Sequence, residues 1–134
     1  MSEKVTKLSA EQVEALRQKE SLLARGSYAV IPHDIYRVIL PELNAKYDGR
    51  LARDCIVLYG YLHAYVNGTS GKSEYLWAYP SVDQIVADTG IKRNRVKPLA
   101  DVLEAEGLLI TRKIPWYGNT KKMYMPQYIR RDDG

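Results

Sequence analysis

The stretch SVDQIVADTGIKRNRVKPLADVLEAEGLLITRKIPWYGNTKKMYM, Ser81 to Met125, decides how this chain folds. Pro80-Ser81 opens a helix, with Ser81 and Gln84 at the two positions of a capping box, and Ile85 and Val86, with Val82 beside them, supply its inward face. Gly90 makes the sharp turn that follows, and Ile91 plugs it. A second helix, rich in Arg and Lys, runs to Glu106 and stops at Gly107. Leu108 to Ile114 and Lys121 to Met125 then have strand character around the turn Pro115-Trp116-Tyr117-Gly118-Asn119-Thr120. Two capped helices around a glycine turn, then a basic hairpin, make an α+β fold that is mostly helical.

Upstream, Ser9 and Gln12 form another capping box, and Leu8 and Val13 can staple the entry to a helix that runs to about Ala24 and stops at Gly26. Its apolar residues Val13, Leu16, Leu22 and Leu23 form a narrow stripe among Glu and Lys. Residues 1–27 therefore read as a helical arm that docks on the main domain, makes a dimer contact, or stays a solvated leader. The domain proper spans 28–134. Within it Tyr28-Ala29-Val30-Ile31 is a short extended run closed by Pro32, and Ile35, Val38 and Ile39 recur at helical spacing until Pro41 ends or kinks that helix. A polar connection reaches Gly49. The helix from about Arg50 to Val66 carries the core on Ala52, Cys55, Ile56, Tyr59, Leu62 and Val66. Asn67 to Ser73 is an exposed Gly/Ser-rich loop, and its Gly71-Lys72-Ser73 lacks the upstream glycine and strand of a phosphate-binding loop. Tyr75 to Tyr79 reads as a short strand.

At 134 residues the chain can bury one core. No apolar run is long enough for a membrane span, and the polar Met1–Lys7 start is no secretory signal, which points to the cytoplasm. Cys55 is the only cysteine, which excludes an intrachain disulfide and a cysteine-rich zinc site. It reads as a small apolar residue on a helix face. His33 and His63 are isolated and read as ordinary surface or rim residues. No carboxylate pair, nucleophile with a base, or cofactor fingerprint stands out, so neither catalysis nor a cofactor is expected. Net charge is +4, and its distribution carries more than its size. Between Ile91 and Lys122 eight cations face three acids, Asp101, Glu104 and Glu106, so the positive excess is localised in one quarter of the chain.

From Tyr79-Pro80-Ser81 to Leu109 the chain resembles the winged helix-turn-helix domains at the N-termini of phage and plasmid replication initiators (the RepA N-terminal type) and primosome-loading proteins of the DnaD type. The residues that carry the resemblance are the Ile56–Leu62 face, the aromatic-Pro-Ser helix start, Gly90-Ile91, Val96 six positions after that glycine, Leu103, Glu104-Ala105-Glu106 and Gly107-Leu108. The extended Tyr28–Pro32 run also looks like the short strand such initiators place ahead of the motif. The chain departs from the pattern in ending at Gly134 without a long C-terminal domain, and in placing Pro98 inside the recognition helix. That proline implies a kink, or a separate first turn with the main helix starting at Pro98.

A helix presented by its N-terminal half fits the major groove of duplex DNA. Asn94 suits adenine and Arg93 or Arg95 guanine, whereas Lys92 and Lys97 suit phosphates. The hairpin adds Arg112, Lys113, Lys121 and Lys122, with Trp116 and Tyr117 near its tip, either against sugar-phosphate, at a subunit contact, or folded back on the domain. The expectation is a sequence-specific double-stranded DNA-binding protein, acting as a homodimer with replication or transcription proteins. It would serve replication initiation, or else regulate transcription in a mobile element. A docking winged helix without DNA binding is the other class, although such modules usually lose the basic helix that this chain keeps.

Overall fold

The computed structural model describes residues 7–131, so most of the Met1–Lys7 leader lies outside the described residues. The elements are α1 (Ala10–Arg25), a π-helical turn (Ile35–Ile39) running into α2 (Leu40–Lys46), α3 (Gly49–Ala64), α4 (Val82–Thr89), α5 (Arg93–Ala105), and the strands β1 (Leu109–Trp116) and β2 (Asn119–Pro126). The architecture is α+β, a helical body followed by an antiparallel hairpin, as the sequence predicts. No helix among the described residues is long and apolar enough to cross a membrane.

Asp48 starts the central helix: its carboxylate accepts the Leu51 amide at 2.8 Å, satisfying one of the donors a helix N-terminus leaves open. Of the predicted stripe Ala52, Cys55, Ile56, Tyr59 and Leu62 are buried and Leu58 joins them, whereas Val66 lies past the helix end at Ala64 and is only partly buried. The buried side chains pack against Ile35, Ile39 and Leu43 on one side and against Ile85, Leu99, Leu103 and Leu108 on the other. Burial of each such aliphatic side chain is worth about 1.5–3 kcal/mol, which makes α3 the element that holds the others in place. Cys55 is fully buried with Sγ 3.9 Å from the Leu99 carbonyl, and burial pushes its thiol up to about 12, the setting of an inert packing residue.

Three local expectations need correction. Pro41 does not end its helix. The Leu40 amide reaches back to the Ile35 carbonyl, a five-residue step that widens the turn just before the proline and lets the helix continue as α2. Tyr28–Ile31 joins no sheet, and Tyr75–Tyr79 makes only two isolated bridges: Tyr75 pairs with Asn67, and Ala78 exchanges both backbone hydrogen bonds with Tyr124 at 2.6 and 2.7 Å. Leu76, at φ +69°, breaks the extended run between those two bridges. Pro98 neither splits nor restarts its helix: α5 is continuous from Arg93 to Ala105, with the proline on its solvent side.

His63 also departs from expectation. It is 2% exposed, stacked edge-on between Tyr59 at 4.6 Å and Tyr128 at 4.9 Å. Neither ring nitrogen has a hydrogen-bond partner. Burial holds the imidazole below its ordinary value, and the nearby Gln127 backbone offsets this only in part. The folded protein therefore keeps His63 neutral at a pH where the unfolded chain, titrating near 6.5, already binds a proton. Stability is full above that value and is lost as pH falls through it toward the folded value. Melting temperature should drop between pH 7 and pH 5, and His63→Phe should flatten that drop. An equal drop in both proteins assigns it elsewhere.

The arm is a helix with the expected capping box at Ser9 and a left-handed cap at Gly26, yet none of its residues is buried. Leu22 lies two and a half turns from Val13, on the opposite face, so the stripe is Val13, Leu16 and Leu23. All three are exposed.

Candidate nucleic-acid interface

The turn between α4 and α5 is built from side chains as well as from its glycine. Ser81 Oγ accepts the Gln84 amide at 3.0 Å and caps α4. Gly90, at φ +76°, closes the helix by donating to Val86, and Thr89 latches the bend. Its hydroxyl donates to the Ile85 carbonyl at 2.7 Å and accepts the Ile91 amide at 3.1 Å. Ile91 is buried beneath.

Val96, Leu99, Ala100 and Leu103 seat α5 against the core. At 3.6 residues per turn Asn94, Lys97 and Asp101 project away from that stripe and Arg93 lies in the first turn at its Ala100 edge, all exposed, with Lys92 just ahead at the N-cap. Arg95 is not among them. Two residues past Arg93, it lies at the Leu99 edge of the buried stripe and forms a half-buried ion pair with Asp54 of α3, so it positions the helix rather than facing solvent. Arg93 pairs with Asp83 at the start of α4, both side chains remaining well exposed, and Lys97 pairs with Asp101 one turn on at 3.0 Å. Such exposed pairs are worth under about 1 kcal/mol and exchange readily for another anion. Asp54 and Asp83 are distant in sequence from the basic run but adjacent in space. They partly neutralise an excess that counting along the chain overstates.

The hairpin register divides its cations between two faces. Lys113 stands directly opposite Lys122, while Arg112 opposes Met123 and Ile114 opposes Lys121. Alternation puts Thr111, Lys113 and Lys122 on one face and Arg112, Trp116 and Lys121 on the other. The first face looks at α5, because the Thr111 hydroxyl bonds the Glu104 carboxylate. Lys97, Lys113 and Lys122 thus converge on a single groove between helix and hairpin. Burial holds the Lys122 ammonium below its ordinary value, while attraction to Asp101 and Glu104 opposes repulsion from Lys97 and Lys113. A directly opposed like-charged pair is destabilising in an antiparallel ladder.

The second face packs differently. Lys121 Nζ sits 3.7 Å from the Tyr79 ring centre and 4.0 Å from that of Trp116, and the Arg112 guanidinium lies 5.1 Å from Trp77. Tyr117 and Gly118 form the tip, both with positive φ, and Tyr117 is 92% exposed with its ring edge-on to Trp116 at 5.0 Å. Of the sequence-predicted residues, Lys97, Lys113 and Lys122 thus meet between α5 and the hairpin, Lys92, Arg93 and Asn94 are exposed at the start of α5, Arg112, Trp116 and Lys121 lie on the other hairpin face, and Tyr117 is at the tip. No family model, curated protein or solved structure matches the chain.

Proposed function

We propose that this protein binds duplex DNA sequence-specifically, with the exposed face of α5 in the major groove and the helix-facing side of the hairpin on the phosphate backbone. The convergence of Lys97, Lys113 and Lys122 from three elements carries this reading, since it offers a polyanion three cations at one place, two of them directly opposed across the hairpin. Asn94, exposed on the helix face, is the base reader, with Arg93 released from Asp83 as its neighbour. Lys92 and the three groove lysines hold phosphates. Origin binding in the replication of a mobile element, in the cytoplasm, is the role favoured by the sequence resemblance. Transcriptional regulation is its alternative, with the same chemistry at the DNA. Self-association through the Val13, Leu16 and Leu23 stripe would double the few base pairs that one module reads.

Titration of a random duplex at several salt concentrations tests the proposal. Five cations, Lys92, Arg93, Lys97, Lys113 and Lys122, give an expected log–log slope of about −4 to −5 per bound module. Sedimentation of the same samples reads the dimer. Salt-independent binding, or none at low salt, would leave a protein-docking module in its place.

A further inference from the structure

The hairpin face turned away from α5 has no role in the duplex contact, yet it gathers an unusual set of side chains. Trp77, Tyr79 and Trp116 line it, with Tyr117 beyond them at the tip, and Arg112 and Lys121 are interleaved among the rings. A cleft of about 390 Å³ opens between Trp77, Tyr79, Arg112, Trp116 and Lys121. A second, of about 380 Å³, lies across the Tyr79–Trp116 ridge, where Thr120, Lys122 and Tyr124 of the α5-facing side also line it, and reaches Ser81 at the start of α4. Trp116 is half exposed and Tyr79 nearly as much. The Lys121 ammonium occupies the space between their rings, holding them apart without an apolar filler.

Tyr117 adds a second, independent indication. It takes a left-handed conformation at φ +45°, at a hairpin position where Asn, Asp or Gly is favoured, and its ring is almost wholly in solvent. Folding gains little from a bulky aromatic there. Partly exposed rings interleaved with cations match the chemistry of unpaired nucleotides, whose bases stack on aromatics while their phosphates meet Lys and Arg. We infer that this face is a stacking platform for single-stranded nucleic acid, with bases against Trp116, Tyr117 and Tyr79 and with Lys121 and Arg112 on phosphates. Glu74 at the far edge, bonded to the Ser73 hydroxyl at 2.5 Å, sets the limit of the path. The platform does not depend on the duplex reading, because its rings and its cations Arg112 and Lys121 lie on the other face or at the tip of the hairpin, although its second cleft borders Lys122. If both hold, one hairpin would separate a duplex on one face from a displaced strand on the other.

Both tryptophans of the chain, Trp77 and Trp116, belong to this cluster, so intrinsic fluorescence reports on it directly. The full chain is titrated with an oligothymidylate about ten nucleotides long, and with the RNA strand of equal length and sequence, to tell which source of unpaired bases is preferred. Saturable quenching by at least one of them is expected. Tyr117→Ala, which keeps both tryptophans, should weaken it roughly 5- to 100-fold. Trp116→Ala should do the same, read by anisotropy of a labelled strand. Lys113→Ala should leave strand affinity unchanged, which separates this platform from the duplex surface, and Tyr117→Phe should retain it. Absence of quenching by both strands, or equal affinity in Tyr117→Ala and wild type, overturns the proposal. So does quenching by a proline-rich peptide where neither strand acts.

Discussion

Replacing Lys97, Lys113 and Lys122 together by alanine should weaken binding to every duplex by roughly 100-fold and flatten the salt slope by about three units, while leaving the order of preference among sequences intact. The three ammoniums come from the helix and from both strands, and none is placed to read a base edge. The same substitutions should not lower the melting temperature, because the Lys113–Lys122 pair is a like-charged opposition and Lys122 is already disfavoured by burial. That combination, large loss of affinity with unchanged or raised stability, is what distinguishes a binding groove from a solvated charged surface. Asn94→Ala supplies the contrast. It should cost about 1–3 kcal/mol on the preferred sequence and almost nothing on random DNA. Equal losses on both sequences in both variants would refute the division between groove and helix face.

Gly107→Ala is expected to destabilise the fold by about 2–4 kcal/mol, far more than the same change at Gly90. Both glycines sit in the left-handed region, at φ +75° and +76°, so both substitutions carry the backbone penalty of about 1 kcal/mol. Around Gly90 a new Cβ meets nothing within 4 Å. At Gly107 it would overlap the Arg131 carbonyl oxygen and lie 3.2 Å from the Arg131 nitrogen, where the tail crosses back and the Arg131 amide donates to the Gly107 carbonyl at 2.8 Å. Equilibrium denaturation of the two variants side by side isolates that contact. Similar losses would mean that the tail simply lifts away.

Much of this fold is legible in the chain because its punctuation is local. Ser9, Ser81, Gly26, Gly90 and Gly107 mark helix ends through bonds that reach only three or four residues, and each stands where the spacing places it. The buried stripe of α3 follows from period alone. What the spacing could not reveal depends on partners far away in sequence. Tyr75–Tyr79 has strand composition, yet only Ala78 pairs with the hairpin, and Tyr75 pairs locally with Asn67. His63 looks isolated until Tyr128, from the returning tail, closes over it. Asp54 and Asp83 are invisible to a count made along residues 91–122. Arg95 is different: a helical wheel sets it at the Leu99 edge of the buried stripe, but it sets Arg93 at the Ala100 edge, so only the Asp54 contact separates their roles. The division of the hairpin into two cationic faces likewise follows from strand alternation once the register is known, and a tip at Tyr117-Gly118 fixes that register.

The Ala78–Tyr124 bridge has a mechanical meaning. It is the outermost backbone tie between the hairpin and the body, and beyond it the two strands hold only each other, steadied by the Trp77–Arg112 and Tyr79–Lys121 clamps. Six residues of strand from Tyr124 to Gly118 make a lever about 20 Å long. A rotation of about 10° at that fulcrum displaces the tip by roughly 3 Å over such a length. The hairpin is therefore a compliant arm on a stiff body, able to follow variation in groove width without any rearrangement of α5.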